Sequence, residues 1–209
     1  MMFKMFKSGS DISLPVNPKN KVIVSIYRDG DLYFSVGVAE STGKVVKISL
    51  PKTDKTEAIE NITNYYPDFE LRDEYKDIAK DISRIYKGKK VDFDLDMLEL
   101  DVDKSNTNLP VKSTFQRDVL LETYNIPYGE VATYKSLAEK VGTHAYRAVG
   151  TVMAKNPYPL VVPCHRVVKS DLTIGQYGGG RKMKRELLKK EGVHLKGDKI
   201  IKKKLQDIK

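Results

Sequence analysis

The chain has 209 residues, of which 40% are hydrophobic and 31% charged, a globular composition that excludes an intrinsically disordered protein. Its single cysteine, Cys164, excludes an intramolecular disulfide and a multi-thiolate zinc site, and it fits a reducing compartment. No apolar run approaches membrane-spanning length, and the opening MMFKMFKSGSDIS interleaves lysines with apolar residues unlike a secretory signal, so we expect a cytoplasmic protein (nuclear if the source is a eukaryote) without membrane contact.

The positive charge is concentrated in the second half of the chain. Residues 1–110 hold 17 Lys and Arg against 19 Asp and Glu, whereas residues 111–209 hold 20 against 9. This asymmetry indicates two domains and a polyanionic partner for the second one, although a lysine-rich solubilising surface would show the same balance. Residues 196–209, which contain KIIKKK at 199–204, are expected to form a solvated basic tail.

The first half reads as strands followed by helices. KVIVSIYRDG and DLYFSVGVAE alternate apolar residues on either side of a DG turn signal, and they predict strands within residues 21–50. Residues 56–66 and 73–87 are typical of helices with one polar face, and Gly88 is a suitable stop for the second helix.

An acidic segment and a turn-rich segment close the first half. VDFDLD at 91–96 alternates strictly, which predicts a strand with one wet, acidic face. A metal site is the alternative, but a strand would place the three aspartates in a row rather than around a point. DKSNTNLPVKS at 103–113 is polar and interrupted by Pro110, so we predict a domain boundary there, between residues 1–110 and 111–195.

The second half begins with helical signals. Ser113 followed by Gln116 is a capping box that opens a helix, with Phe115, Val119 and Leu120 on its buried side. The sequence IPYGE at 126–130 ends this helix.

Two short helices follow the IPYGE segment. Thr133 can cap a helix through TYKSLAEKV, which Gly142 ends, and Thr143 can cap another through HAYRAVGTVMA. Two short helices joined by a tight turn with a glycine predict a helix-turn-helix. Ordinary helix pairs look the same, but beside the local positive charge the pattern favours DNA binding.

The segment PYPLVVPCHRVVKS contains the only thiol. A lone cysteine is usually a buried, inert side chain, but a thiol becomes a nucleophile when a neighbouring base or cation stabilises its thiolate. His165 and Arg166 follow Cys164 directly. Adjacent side chains seldom face each other, so we expect His165 to reach the sulfur through a water or a bend in the chain. Glu191, at the end of a predicted helix, is a candidate partner for the other imidazole nitrogen.

Several segments together resemble one protein family. PCHRVV at 163–168 resembles the active-site signature of the O6-alkylguanine-DNA alkyltransferases, also called methylated-DNA–protein-cysteine methyltransferases. IPYGEVATYKSLAE at 126–139, RAVGTVMAKNPYPLVVPCHRVV at 147–168 and GQYGGGRKMKRELLKKEG at 175–192 are similar to further segments of that family, in the same order. The resemblance covers roughly residues 111–195, whereas the first half is similar only in general character.

The resemblance implies a fold and a reaction. The fold is α/β with two domains: an N-terminal α/β domain with an RNase H-like small sheet and helices, and a C-terminal, mostly helical, winged-helix-like domain with a helix-turn-helix. The reaction is direct transfer of the alkyl group of O6-alkylguanine, and of O4-alkylthymine, from a flipped base in double-stranded DNA to Cys164. The thioether product does not readily revert to a thiol, so each molecule reacts once. The resemblance also implies a monomer that uses no cofactor and no metal.

The resemblance also implies roles for individual residues. Cys164 is the acceptor, His165 takes its proton through a water, Glu191 orients the imidazole, and Tyr134 hydrogen-bonds the flipped guanine. Arg147 fills the gap left in the base stack from a helix presented to the minor groove. The further residues implied for DNA binding are Gln116, Lys135 and Ser170, which contact phosphates, and Asn156, which braces the turn before the active-site strand; those implied for the base pocket are Pro159, Val167, Tyr177 and Gly178.

Some of these residues have simpler interpretations, and two depart from the family pattern. Arg147 could be a phosphate contact, and Tyr134 could be a core tyrosine with a satisfied hydroxyl. Gly178 stands where many relatives carry a serine that touches O6, so we expect an altered preference for bulky alkyl groups. Tyr146 is larger than the alanine often found before the arginine.

Three other functions remain open from the sequence. A non-catalytic lesion sensor on the same fold would lack the cysteine, which this chain keeps. A helix-turn-helix transcription regulator would need no Pro-Cys-His-Arg and would prefer one DNA sequence. A cysteine hydrolase would turn over many substrates, and its histidine normally lies far from its cysteine in sequence.

Overall fold

The structure, a computed structural model, describes residues 21–102, 109–202 and 204–205. The opening MMFKMFKSGSDIS segment and residues 103–108 of the predicted domain boundary lie outside the described residues. None of the helices in the described ranges combines the length and the apolar character needed to cross a membrane.

Four strands form the first sheet. β1 (Val22–Asp29) and β2 (Leu32–Ala39) make an antiparallel hairpin over the DG turn, and β3 (Val45–Ile48) continues it antiparallel to β2. β4 (Phe69–Leu71) lies parallel to β1, so the strand order is β3-β2-β1-β4. The strands predicted within residues 21–50 are therefore confirmed.

A helix covers each face of this sheet. α1 (Lys55–Thr63) packs so closely on β2 that a Cβ at Gly37 would lie 2.7 Å from the side chain of Ile62, which is why that strand position is a glycine. α2 (Lys76–Tyr86) places Ile82 in the core on the opposite face, together with apolar side chains of β2. Both helices were predicted from the sequence, and both are confirmed.

The strand predicted at residues 91–96 is wrong. Residues 91–94 have no regular secondary structure, and Leu95–Met97 form a single turn of 3₁₀ helix that the side chain of Asp94 caps. Phe93 is buried while the flanking aspartates are exposed. The alternation in the sequence thus reflects a segment with one side buried against the core. Among the described residues, no neighbouring strand forms the hydrogen bonds of a β-ladder with it.

Three helices and one strand follow in the second half: α3 (Thr114–Tyr124), β5 (Glu130–Thr133), α4 (Tyr134–Lys140) and α5 (Tyr146–Ala154). The three helices pack on one another, and α4 and α5 are the predicted helix-turn-helix pair. Ser113 caps α3, and its Oγ accepts from the Gln116 backbone N–H at 3.1 Å. Of the predicted buried side of α3, Val119 and Leu120 are buried and Phe115 is half-buried.

Two predicted helix starts need adjustment. The Gln116 side chain accepts from the backbone N–H of Lys112 at 3.0 Å, so the reciprocal bond of the predicted capping box goes to the residue before Ser113. Thr143 does not cap α5: the N-cap is Ala145, and the Thr143 hydroxyl accepts from the Ala145 backbone N–H instead. A short polar side chain two residues before the N-cap therefore closes a local turn and leaves the first amides of the helix uncapped.

The remaining elements surround the cysteine. Cys164–Arg166 form one turn of 3₁₀ helix, β6 (Val167–Val168) follows at once, and α6 spans Gly180–Lys190. A second sheet of three parallel strands has the order β6-β5-β9, with β9 at Lys204–Leu205.

The expectation of a solvated tail is wrong for residues 199–202. β7 (His194–Lys196) and β8 (Lys199–Lys202) form an antiparallel hairpin, the third sheet. Ile200 is 3% exposed and packs with apolar side chains of α6 and β6, whereas its neighbour Ile201 is 62% exposed. Strand β8 reads KIIK, and its two lysines concealed the single buried position, Ile200, from a reading based on charge.

Side chains from both halves of the chain share the largest buried cluster. It includes Val36 of β2, Leu120 of α3, Val149 of α5 and Leu187 of α6. The segment that carries Cys164 is therefore held by packing from elements on both sides of the predicted boundary.

Candidate active site

Cys164 opens on two cavities. The residue is 7% exposed and begins the 3₁₀ turn directly after Pro163. One cavity of about 230 Å³ is lined by Tyr134, Gly150, Met153, Ala154, Cys164, Gln176, Tyr177 and Gly178. A second, of about 400 Å³, also reaches Cys164 and extends to residues 47, 48 and 50–52 of the first half, with Pro159 on its wall. The thiol is thus buried in the fold and still accessible to a ligand.

His165 and Glu191 form the pair expected from the sequence. The Nε2 atom of His165 lies 2.8 Å from Oε1 of Glu191, and both side chains are buried. Glu191 sits at the C-cap of α6, where the helix delivers its carboxylate to the 3₁₀ turn. Gly129 packs closely against the backbone of Glu191. Its φ is +78°, and a Cβ there would lie 2.8 Å from the Glu191 carbonyl oxygen.

Arg166 also binds the carboxylate of Glu191, an interaction that was not predicted from the sequence. Its Nε donates to Oε2 of Glu191 at 2.8 Å, its Nη2 donates to Oε1 at 3.0 Å, and its Nη1 donates to the carbonyl of Ile126 at 2.6 Å. A bidentate arginine fixes the plane of the carboxylate as well as its charge. The position next to His165 was visible in the sequence, but the direction of the side chain was not.

The charge states of the pair follow from their surroundings. Burial alone would raise the pKa of Glu191, but the hydrogen bonds and charges of His165 and Arg166 outweigh it and bring the pKa down to about 2. Burial lowers the pKa of His165 from its usual value, and the Glu191 carboxylate only partly offsets this. At neutral pH the carboxylate is therefore ionised and the imidazole is neutral.

This charge assignment fixes the imidazole tautomer. An ionised carboxylate only accepts, so Nε2 of His165 carries the hydrogen and Nδ1 is left with a free lone pair. Within the described part of the chain, Nδ1 is buried and has no hydrogen-bond partner. In a 3₁₀ turn, successive side chains point about 120° apart, so Cys164 and His165 do not face each other. The arrangement fits a base that takes a proton through a bridging water.

Burial raises the pKa of the Cys164 thiol, and three kinds of group partly offset it. They are a hydrogen bond from the Asn156 side chain, the charge of Lys184, and the backbone N–H groups of Cys164 and His165. The thiol is thus protonated at rest and needs a base when it reacts.

Lys184 is a second residue that the sequence analysis missed. It is fully buried on α6, and its Nζ donates to the carbonyl of Val167 at 2.5 Å and to that of Gln176 at 3.4 Å. Burial lowers its pKa to about 8, and the nearby thiol of Cys164 opposes that shift. The signal was present, because Lys184 shares the buried helical face of Leu187 and Leu188.

Two tyrosines face the thiol across the smaller cavity. Burial raises the pKa of Tyr134, with a further rise from Cys164, and burial raises that of Tyr177 well above its usual value. Both hydroxyls therefore keep their protons at neutral pH. Among the described residues, the Tyr177 hydroxyl is buried without a partner.

Asn156 braces the turn before the 3₁₀ helix. Its Nδ2 donates to the carbonyl of Val162 at 2.9 Å, and its Oδ1 accepts from the backbone N–H of Tyr158 at 2.9 Å. Between them, Leu160 adopts a φ of +76°, a conformation that leucine rarely takes. The asparagine thus spans a strained turn whose end positions Cys164.

The structure brings together most, but not all, of the residues implied for the base pocket. Tyr177 and Gly178 line both cavities, and Pro159 lines the larger one. Val167 lines neither cavity: it is fully buried in the core, and only its carbonyl approaches the site, through Lys184. A Cβ at Gly178 would meet Leu50 at 3.7 Å, an ordinary contact, so the backbone does not require a glycine here for lack of space.

The residues implied for DNA contact lie outside these cavities. Arg147 is exposed in the first turn of α5, beside the exposed Tyr146, and Lys135 is exposed in the first turn of α4. Ser170 is exposed in the turn after β6, and Gln116 is half-buried near the start of α3. Within the described part of the chain, no three His, Cys, Asp or Glu side chains group to hold a metal ion.

Comparison with known proteins identifies the family to which this site belongs. Residues 114–193 match the family described as 6-O-methylguanine DNA methyltransferase, DNA binding domain. A methylated-DNA–protein-cysteine methyltransferase of Methanothermobacter thermautotrophicus is 36% identical over 139 residues, which are 66% of this chain and 73% of that protein. The chain belongs to the methylated-DNA–protein-cysteine methyltransferase family. The resemblance found in the sequence is therefore confirmed.

Other methylated-DNA–protein-cysteine methyltransferases extend the likeness. One from Metallosphaera sedula is 40% identical over 119 residues, 57% of this chain and 69% of that protein. The crystal structure of the O6-methylguanine-DNA methyltransferase of the hyperthermophilic archaeon Pyrococcus kodakaraensis strain KOD1 matches with a TM-score of 0.61 and 29% identity, over 82% of this chain and 99% of that one. Mycobacterium tuberculosis OGT in complex with DNA matches with a TM-score of 0.60 and 25% identity, over 85% and 97%. The shared α/β architecture thus reaches into the first half, where sequence similarity was weak.

Proposed function

We propose that this chain repairs DNA by transferring the alkyl group of O6-alkylguanine directly and irreversibly to Cys164. One observation carries the assignment to this residue: the only thiol of the chain opens on a cavity while the His165–Glu191 pair lies beside it. The family to which the chain belongs moves methyl groups from DNA to a protein cysteine, and no second cysteine is available here.

The proposed step exchanges one bond for another. The sulfur of Cys164 forms a bond to the alkyl carbon as the bond from that carbon to guanine O6 breaks. The thiol proton passes through a water to Nδ1 of His165, and Glu191 stabilises the resulting imidazolium. The guanine leaves as an anion and takes up a proton at N1 from solvent, and the imidazolium later releases its proton to solvent. The product is a thioether on the protein and an unmodified guanine in the DNA, so each molecule reacts once and needs no cofactor.

Tyr134 supports departure of the guanine. Its hydroxyl keeps its proton at neutral pH and lies in the cavity that contains Cys164. We infer that it donates a hydrogen bond to the everted base, whose negative charge grows as the bond to O6 breaks. Pro159, Tyr177 and Gly178 line the space for the base and its alkyl group, and O4-alkylthymine is a second proposed substrate.

DNA binding by the helix-turn-helix completes the proposal. The lesion lies inside a duplex, so the base must be flipped out before it reaches Cys164. The exposed guanidinium of Arg147, on the second helix, is suited to fill the vacated position, and α5 would lie in the minor groove. Gln116, Lys135 and Ser170 are proposed to contact phosphates.

The finer organisation also belongs to the proposal. We infer an N-terminal α/β domain over residues 1–110 and a winged-helix-like domain over residues 111–195. The three packed helices of the second half and the β7–β8 hairpin support the winged-helix description. The protein is proposed to act as a monomer in the cytoplasm, or in the nucleus of a eukaryote.

Mass spectrometry of the intact protein tests the proposal. After mixing with a short duplex that carries O6-methylguanine, the protein is expected to gain one methylene, and Cys164→Ala is expected to gain none. An undamaged duplex of the same sequence is the control for the substrate. Continued turnover with no change in protein mass would indicate a hydrolase. Binding of one preferred sequence without transfer would indicate a transcription regulator, and binding of the damaged duplex without transfer would indicate a lesion sensor.

A further inference from the structure

A basic groove runs along the junction of the two halves of the chain. It is formed by Lys47 on β3, Tyr65 after α1, Lys112 and Gln116 at the start of α3, and Lys155 after α5, and it encloses about 510 Å³. Its walls therefore come from the first sheet, from the start of α3 and from the end of α5.

The charge of this groove is one-sided. Among the residues that the structure describes, three lysines line it and no Asp or Glu does. Lys47 is half-buried, and within the described residues its ammonium pairs with no carboxylate. Instead, Nζ of Lys47 lies 3.9 Å from the centre of the Tyr65 ring, and Tyr65 itself is 68% exposed. Burial lowers the pKa of Lys47 and of Lys112, because the groove walls remove part of the water that solvates the two ammonium groups.

The groove is continuous with the candidate active site. Lys47, Ala154 and Asn156 line both the basic groove and the larger cavity that reaches Cys164. A strand whose modified base enters the cavity must continue past its rim, because the backbone on either side of the lesion is covalent. A polyanion is the partner that a groove lined by lysines in this position fits.

We propose that the basic groove binds the phosphodiester backbone of the DNA strand beside the lesion, and that Lys47 is a phosphate contact contributed by the first half of the chain. This inference rests on the proposed function. In this proposal the first half of the chain contacts DNA directly. The slightly acidic net charge of residues 1–110 does not reveal this contact, because a net charge averages over the whole surface.

The dependence of DNA affinity on salt tests this contact. We would measure the dissociation constant of an unmodified duplex of about 20 base pairs, two helical turns, by fluorescence anisotropy over a range of salt concentrations. Each phosphate contact contributes about 0.9 to the slope of log K against log salt. Lys47→Gln is expected to reduce the slope by about that amount and to weaken binding at low salt, and Lys47→Arg is expected to retain the wild-type slope.

Two further variants make the result specific. Lys80→Gln removes the same charge from an exposed site on α2, away from the groove, and is expected to keep the wild-type slope. Lys155→Gln removes a second groove lysine and is expected to act like Lys47→Gln. If Lys47→Gln and Lys155→Gln both match Lys80→Gln, the groove does not bind the backbone. Methyl transfer by the wild-type protein is scored separately: its presence with unchanged slopes overturns only the groove, and its absence overturns the proposed function itself.

Discussion

At the scale of single residues, the chemistry depends on how a buried thiol loses its proton. Burial raises the pKa of Cys164, so a stable thiolate does not form at rest, and a neutral thiol is protected from unwanted oxidation or alkylation. In the proposed mechanism, the neutral His165, held by an ionised Glu191, accepts the proton when a substrate fills the cavity. Under this proposal, charge appears on the sulfur only when the substrate is in place.

Lys184 is expected to stabilise that charge. Lys184→Met keeps the length of the side chain and removes the ammonium, so the thiol pKa should rise and transfer at pH 7 should slow by about tenfold for each pKa unit. Because the pKa of Lys184 is about 8, its charge is present below that pH and lost above it. The ratio of wild-type to variant rate constants should therefore fall towards one as the pH rises through 8. A ratio that stays constant across this range in single-turnover kinetics would show that Lys184 acts only through packing.

Glu191 links the site to acid stability. Its folded pKa of about 2 lies below its usual value of 4.5, so the stability it contributes is present above pH 4.5 and is lost as the pH falls through 2. The stability that this shift of the Glu191 pKa contributes above pH 4.5 is on the order of 3 kcal/mol. The free energy of unfolding should decrease less between about pH 5 and about pH 2.5 in Glu191→Gln than in the wild type.

Chemical denaturation at the two pH values measures this difference. Glu186→Gln, which removes an exposed carboxylate from the same helix, is the matched control. An equal decrease in Glu191→Gln and the wild type would mean that the carboxylate is not held by His165 and Arg166 as the structure describes.

At the scale of elements, α5 presents Arg147 at its exposed N-terminal end. If this guanidinium replaces the flipped base, its loss should slow repair of duplex DNA, where extrusion of a base costs a few kcal/mol, and not of single-stranded DNA. Arg147→Ala is therefore expected to slow methyl transfer from a duplex by about tenfold or more, with transfer from a single-stranded oligonucleotide unchanged. Equal losses with both substrates, measured in single-turnover assays, would assign Arg147 to general binding instead.

Two adjacent isoleucines of the β7–β8 hairpin test whether residues 199–202 pack against the core. Ile200 is 3% exposed and Ile201 is 62% exposed, on the same strand. Ile200→Ala should reduce the free energy of unfolding by about 2–5 kcal/mol, and Ile201→Ala should change it by no more than about 0.5 kcal/mol. Urea denaturation of both variants measures the two values. If both substitutions change the free energy of unfolding equally little, residues 199–202 are a solvated tail after all.

At the scale of the whole molecule, the sequence was most informative where local chemistry decides the structure. The DG hairpin, the caps at Ser113 and Thr133, and the placement of Glu191 at a helix end could all be predicted, because each depends on a few neighbouring residues. The predicted strand at 91–96 was wrong because alternation marks one-sided burial whether or not a partner strand lies alongside.

The parts of the site that were missed depend on distant contacts. The spacing of Lys184, Leu187 and Leu188 marks a buried helix face, but the partner of the Lys184 ammonium, the carbonyl of Val167, is set only by the tertiary fold. The hydrogen bond from Arg166 to Ile126 likewise spans 40 residues of sequence. The basic groove joins β3 to α3 and α5, and no local pattern relates those segments. Hydrophobic periodicity predicts which faces are buried, but which buried faces meet is set by the tertiary fold.

Counting and locating the transferred methyl group tests the central claim most directly. The wild-type protein would be incubated with an excess of duplex O6-methylguanine until reaction stops, then digested and analysed by peptide mass spectrometry. We expect one methyl group per molecule, on the peptide that contains Cys164, with the amount of repaired guanine equal to the amount of protein. Repair of more guanine than there is protein, or a methyl group on any other residue, would contradict irreversible transfer to Cys164.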